Sequence, residues 1–410
     1  MAVITFFSAK YCNGPGIARE VASKLGYTFM DEEEVLLETS RRFPVSVEKL
    51  KRTLQGKPSI FAKFTLEKER NVAYMQAALA NIVQTDKMVY IGFGSHLLPR
   101  DVPHILKVCI LANRAFRIER ASANQGISEK EALQVIKSED LALIEWTRYL
   151  SDRGPWDQRL YDIKIPIHKT TEAEAVQLVM ENADKPALKT TEMSRMALDD
   201  HVLATKINIA LVKEGHNTHD LQVNCTDGNA VIKVNKYVIR LEHLQNELIK
   251  IAQAVPGVKS ATSRVGPKFS QPDIYHKFNF ELPSKVLLVD DEREFVQTLS
   301  ERLQMREFGT SIVYNGEEAL DVLEDDVPDV MILDLRMPGI DGFEVLRRVK
   351  KQHPHVKVII LTGHGSETDE KLAKELGAFA YLNKPVDIDV LAKTMKEAYQ
   401  KLQEETSAED

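Results

Sequence analysis

The 410-residue sequence predicts an α/β protein assembled from three folded segments. Short apolar runs alternate with stretches of helical period at both ends of the chain, and a compact helix and hairpin pattern lies between them. Two stretches without a sustained apolar period separate these three regions. A chain of this length has room for two to four domains, each with its own core.

In residues 1–184 the runs AVITFF, KMVYIGFG, HILKVCILA and YDIKIPI alternate with helical segments, which suggests βα units around a mostly parallel sheet. Residues 185–197, KPALKTTEMSRMA, read as a linker or a lead-in helix. Residues 198–266 run helix, strand, turn, strand, helix, strand, a small α+β module. Asp227 and Gly228 between two alternating runs are a strong hairpin signal there. Residues 267–284 carry three prolines and read as a second linker. Residues 285–402 alternate strands and helices again, and the acidic tail EETSAED is expected to be disordered.

Composition narrows the function classes. The chain is 43% hydrophobic and 28% charged with a formal net charge of -7, which argues against an overall grip on nucleic acid or anionic membrane. No window approaches the length of a membrane span and no export signal opens the sequence, so the expectation is a cytoplasmic protein without membrane insertion. Cys12, Cys109 and Cys225 lie far apart with no metal-binding spacing and read as ordinary thiols. His353 and His355 read as exposed loop residues, and no helix-turn-helix is recognisable.

The clearest chemistry is C-terminal. KVLLVDDE ends in Asp290 and Asp291, VMILDLRMPG carries Asp334, VKVIILTGHG carries Thr362, and AFAYLNKP ends at Lys384 and Pro385. In an open parallel sheet these strand ends face one crevice, which gathers three carboxylates, a hydroxyl and an ammonium. Crowded carboxylates repel one another unless a hard cation joins them, and Mg²⁺ favours a few carboxylate oxygens alongside water and phosphate. A carboxylate so placed can attack a phosphoryl donor and become an acyl phosphate.

These motifs, with NGEEALDVL, PDVMILDLRMPGIDGFEVL and ELGAFAYLNKPVDIDVL, resemble a response-regulator receiver domain over nearly all of residues 285–402. The resemblance implies a doubly wound (βα)5 flavodoxin-like fold, and Asp334 as the phosphoacceptor of a sensor histidine kinase. It implies Mg²⁺ held by Asp290, Asp291, Asp334 and the Arg336 backbone carbonyl. It further implies Lys384 in contact with the phosphoryl group, Thr362 and Tyr381 as switch positions, and a cis bond between Lys384 and Pro385. Arg336 and His364, two positions after Asp334 and Thr362, are candidates for controlling water access to the acyl phosphate.

At the other end, SAKYCNGPG joins an apolar run to a helical segment, the place where α/β proteins hold phosphate on unpaired backbone N–H groups and a helix dipole. That loop, with GYTFMDEE, VYIGFG, FRIERASANQGISEKEAL and SEDLALIEWTRYLSDRGPW, resembles the cytidylate kinase-like family and implies a P-loop-kinase-like parallel sheet. Arg117, Arg120, Asp140, Arg148, Gly154, Trp156, Tyr161 and Asp162 fit the family pattern.

The departures fall on the chemistry. Lys10, Asn13, Gly14 and Gly16 form a degenerate phosphate loop without the expected lysine and hydroxyl, and Pro15 removes an N–H. Gly92, Phe93 and Gly94 stand where the family has an arginine between glycines, and Leu143 replaces a lid arginine. Phosphoryl transfer rests on positioning and charge neutralisation, so these losses disfavour both catalysis and nucleotide binding. Residues 198–266 resemble a BON domain through IKVNKYV and AVPGVKS.

The sequence therefore describes a signalling protein with a receiver and an inactive kinase-like domain that senses a ligand or contacts an unknown downstream protein. A homodimer is compatible with this plan. The rival is an active nucleoside monophosphate kinase gated by the receiver.

Overall fold

The computed structural model describes residues 2–55, 65–151, 153–236, 238, 241–269, 282–283, 285–363 and 365–409. They form two compact units, one holding two sheets and the other a third.

The first sheet comprises β1 (Val3–Ser8), β2 (Thr28–Met30), β3 (Met88–Ile91), β4 (Ile105–Leu111) and β5 (Ile163–Pro166) in the parallel order β2-β3-β1-β4-β5. Four of these are the apolar runs of the sequence. β2 is a three-residue edge strand, too short and too exposed to show an apolar period.

The central strand is buried on both faces. Ile4 and Phe6 pack with Ile17 and Val21 of the helix Gly14–Leu25, while Val3 joins Leu36, Leu79 and Trp146 on the other side. A near-continuous hydrophobic run is what a strand covered by helices on both faces requires.

The same unit holds β6 (Leu221–Thr226), β7 (Asn229–Val234) and β8 (Ser260–Val265). β6 and β7 are antiparallel across Asp227 and Gly228, which have φ of 49° and 77°, the left-handed pair that the hairpin signal anticipates. β8 runs parallel to β7, and Ile207, Leu211, Leu244 and Leu248 of the helices Glu192–Lys213 and Leu241–Gln253 cover one face.

Residues 185–197 take the helical alternative in part: the helix starts at Glu192, capped by Thr191, and its Leu198 packs with Val3 and Trp146. Asp86 accepts from Thr190 at 3.0 Å and Arg195 at 3.2 Å.

The second unit has β9 (Val286–Val289), β10 (Thr310–Val313), β11 (Val330–Leu333), β12 (Lys357–Thr362) and β13 (Ala380–Asn383), all parallel in the order β10-β9-β11-β12-β13. This is the doubly wound, flavodoxin-like arrangement, with a core on each face of the sheet. The Lys384–Pro385 bond is cis.

Residues 404–409 of the acidic tail are helical. The helix Ile388–Glu409 runs through it, and Glu405 accepts from the buried Lys357 ammonium at 2.5 Å. An ion pair reaching back to a strand start supplies tertiary support that local charge density does not reveal.

Candidate functional site

Two sites lie at strand ends, one in each unit. In the second unit β9 leads into Asp290, β11 into Asp334 and β13 into Lys384, while β12 closes on Thr362. Because β9, β11, β12 and β13 are parallel neighbours, their carboxyl ends share one edge.

Asp290 and Asp334 are 4% and 5% exposed. The Lys384 ammonium lies 2.7 Å from Asp290 Oδ2, 2.9 Å from Glu292 Oε1 and 2.9 Å from Asp334 Oδ2, and 4.5 Å from the centre of the Phe295 ring. Burial alone would depress this ammonium, but its bonds to Asp290, Glu292 and Asp334 hold it well above the ordinary lysine range. Burial raises the Asp290 carboxyl against the pull of Lys384.

One ammonium cannot neutralise three carboxylates. Single ligand oxygens from Asp290, Glu292 and Asp334 lie within 4.8 Å of one another, and a donor set of hard oxygens suits a divalent cation such as Mg²⁺.

A third carboxylate at the ammonium comes from the turn after β9. Glu292 reaches the Lys384 ammonium although its side chain is 63% exposed, and Asp291 beside it is exposed as well. Asp290 Oδ1 accepts the Glu292 N–H at 2.9 Å, a local turn that leads from β9 into the helix Arg293–Gln304. The Arg336 backbone N–H donates to Asp334 Oδ1 at 3.2 Å, which places this residue beside the phosphoacceptor candidate.

Thr362 is fully buried. Tyr381 is only half-buried, and its hydroxyl, which has no hydrogen-bond partner among the described residues, lies against Gly365 so closely that a Cβ there would overlap it. Gly365 is a functional candidate that the sequence does not signal, because its neighbour is 16 positions away. His364 lies outside the described residues.

In the first unit a cleft of about 860 Å³ opens beside the loop after β1. Tyr11 and Asn13 take φ of 64° and 51°, and the helix starts at Gly14 with Pro15 in its first turn. A Cβ on Gly14 would overlap Ser8, and one on Gly16 would come within 2.5 Å of Asn13 Oδ1, so both glycines serve close approach. Phe7, Ile91, Phe93 and Leu143 line the cleft with apolar surface.

Each cation around this cleft has its own acid. Lys10 reaches Glu139 at 3.4 Å, Arg19 lies 3.7 Å from Asp31, and Arg120 lies 3.2 Å from Glu172. Arg117 holds Asp140 bidentately at 2.9 and 2.7 Å and donates through Nε to the Lys10 carbonyl at 2.9 Å. At the glycine pair around Phe93, the Glu32 carboxylate accepts the Phe93 N–H and the Tyr90 hydroxyl, the latter at 3.0 Å. Loss of solvent raises the Glu32 carboxyl to about 7, despite those two hydrogen bonds.

Tyr161 and Asp162 act structurally: Tyr161 donates to the Pro155 carbonyl at 2.6 Å, and Asp162 accepts the Lys107 N–H at 2.8 Å. Glu32, Glu139 and Glu172 escape sequence reading because their partners are remote in the chain.

Comparison with known proteins agrees with both resemblances. Residues 286–396 match the family model for the response regulator receiver domain, and residues 3–169 match the cytidylate kinase-like family. Neither match extends into residues 198–266. The transcriptional regulatory protein CpxR of Escherichia coli K12 is 44% identical over 102 residues, which are 25% of this chain and 43% of that protein. The chain therefore spans less than half of that relative. Sporulation initiation phosphotransferase F of Bacillus subtilis is 37% identical over 112 residues, 27% of this chain and 90% of that protein.

Among solved structures, a CheY-like receiver domain protein of Methanospirillum hungatei JF-1 aligns with 27% identity and a TM-score of 0.29, covering 29% of this chain and 96% of its own. A receiver domain protein of Clostridium thermocellum aligns with 35% identity and a TM-score of 0.28, covering the same shares. Among the described residues no helix is long and apolar enough to cross a membrane. Through residues 286–396 the chain belongs to the response regulator receiver family of two-component signalling, joined in one polypeptide to a cytidylate kinase-like segment.

Proposed function

We propose that this response regulator is phosphorylated on Asp334 by a sensor histidine kinase, and that its N-terminal domain is not a phosphoryl-transfer enzyme but the part that senses a ligand or contacts a downstream protein. The observation that carries the first half is the Lys384 ammonium shared by Asp290, Glu292 and Asp334 at 2.7 to 2.9 Å.

An Asp334 carboxylate oxygen attacks the phosphorus of a phosphohistidine, the P–N bond breaks, and the imidazole keeps the electron pair. The incoming phosphoryl oxygens meet Lys384, which exchanges carboxylate partners for them. Mg²⁺ held by Asp290 and Asp334, with Asp291, Glu292 or the Arg336 carbonyl completing the protein donors, would neutralise charge on the transferred group. A dianion at Asp334 then draws the Thr362 hydroxyl, and Tyr381, seated over Gly365, responds to the space that vacates.

The pairing of Lys10, Arg19, Arg117 and Arg120 with acids favours the inactive reading of the N-terminal domain, since a kinase needs such cations for phosphate. Mass spectrometry after acetyl phosphate and Mg²⁺ tests the receiver half. A phosphoryl adduct is expected on the wild type and none on Asp334→Ala; an adduct that survives the substitution, or none on the wild type, overturns it.

A further inference from the structure

We propose that Glu172, held by two residues that line the N-terminal cleft, is a resident anion that competes with phosphorylated ligands there, and so sets the specificity of the cleft for a molecule without phosphate. This rests on the reading of that domain as catalytically inactive. The helix Gly14–Leu25 points its N-terminus at the loop, where backbone amides and the dipole favour an anion. Asn13, at the N-cap, makes no side-chain cap; its carboxamide donates instead to Glu172 Oε2 at 2.6 Å. Arg120, which also lines the cleft, lies 3.2 Å from Glu172 Oε1. The two oxygens of one carboxylate thus take up two side-chain donors beside Gly14, the Asn13 amide and the Arg120 guanidinium.

Glu172 is not required as the cap of its own helix, Glu172–Ala183. Thr171 and Glu174 form a complete capping box there, so the Glu172 side chain is free to turn away toward residues 159 and 52 positions earlier in the chain. The glycine at position 16 makes the arrangement feasible, since the Asn13 amide lies where a Cβ would stand. With Arg117 held bidentately by Asp140 and Lys10 beside Glu139, a polyphosphate would meet paired charges rather than open cations. The apolar surface of Phe7, Ile91, Phe93 and Leu143 is left to contact an uncharged ligand body.

The test is calorimetric titration of the full chain with ATP, without metal, for wild type, Glu172→Ala, and Glu172→Ala combined with Arg120→Ala. The wild type is expected to show no saturable binding up to about 1 mM. Glu172→Ala should tighten ATP binding by roughly tenfold or more, and adding Arg120→Ala should reverse that gain. Glu172→Gln, which keeps the shape and removes the charge, should shift in the same direction and serves if the alanine variant does not fold. No gain in either variant, or a gain that Arg120→Ala leaves intact, overturns the proposal. Wild-type turnover of nucleoside monophosphates with ATP would instead overturn the inactive reading, so the two failures are distinguishable.

Discussion

The receiver pocket and the N-terminal cleft are both built at the strand ends of five-stranded parallel sheets, yet they distribute charge in opposite ways. In the receiver one buried ammonium is contested by three carboxylates, which leaves uncompensated negative charge and a lysine free to change partners. In the cleft each cation is matched by its own acid, and Arg117 is locked bidentately to Asp140. A shared parallel-sheet plan supplies the crevice, but reactivity depends on whether its charges are left unbalanced or paired off.

The largest expected effect breaks the shared-ammonium side of this contrast. Lys384→Ala leaves buried carboxylates without their counter-charge, and should cost about 3 kcal/mol of receiver stability, read as a lowered denaturant midpoint. Millimolar Mg²⁺ should recover part of that loss by replacing the ammonium. If the variant is as stable as wild type, or Mg²⁺ has no effect on it, the pocket is not held together by charge as described.

Next, Arg117→Ala tests the pairing in the cleft. Its guanidinium is 6% exposed on the side chain, so the substitution strands Asp140 and should cost roughly 3 kcal/mol. Lys10→Ala, which removes an exposed pair 3.4 Å long, should cost under about 0.5 kcal/mol. Equal costs would show that burial does not separate the two pairs.

A further test of the cleft concerns pH. Glu32 titrates near 7 in the folded state against an ordinary 4.5, so the fold binds its proton more tightly than the unfolded chain. The stabilisation is complete below 4.5 and is lost as pH rises through 7, by on the order of 3 kcal/mol. Glu32→Gln should flatten the fall in urea midpoint between about pH 5 and pH 8. A slope unchanged by the substitution would place the effect elsewhere.

Legibility differed between the two regions for a physical reason. VLLVDDE, VMILDLRMPG and AFAYLNKP each put a reactive residue directly at the end of an apolar strand, so parallel pairing alone brings Asp290, Asp334 and Lys384 together. Glu292 is not marked by the motif because it reaches Lys384 through the turn after β9, with its side chain still 63% exposed. In the cleft, the missing lysine and the Phe93 and Leu143 replacements were readable as losses. What replaced them was not, because Glu139 and Glu172 act through partners more than fifty positions away.

By itself, then, the sequence determined two parallel α/β sheets, the hairpin at Asp227 and Gly228, and the identity of the phosphoacceptor candidate. These follow from apolar period, turn chemistry and strand-end position, all of them local properties of the chain. Only the tertiary structure showed that Glu292 joins Asp290 and Asp334 at the Lys384 ammonium, that the helix Ile388–Glu409 runs into the acidic tail, and that the Glu172 carboxylate meets the Asn13 amide at the start of the first helix. Each depends on a side chain meeting a residue distant in sequence, where packing geometry rather than composition selects the partner.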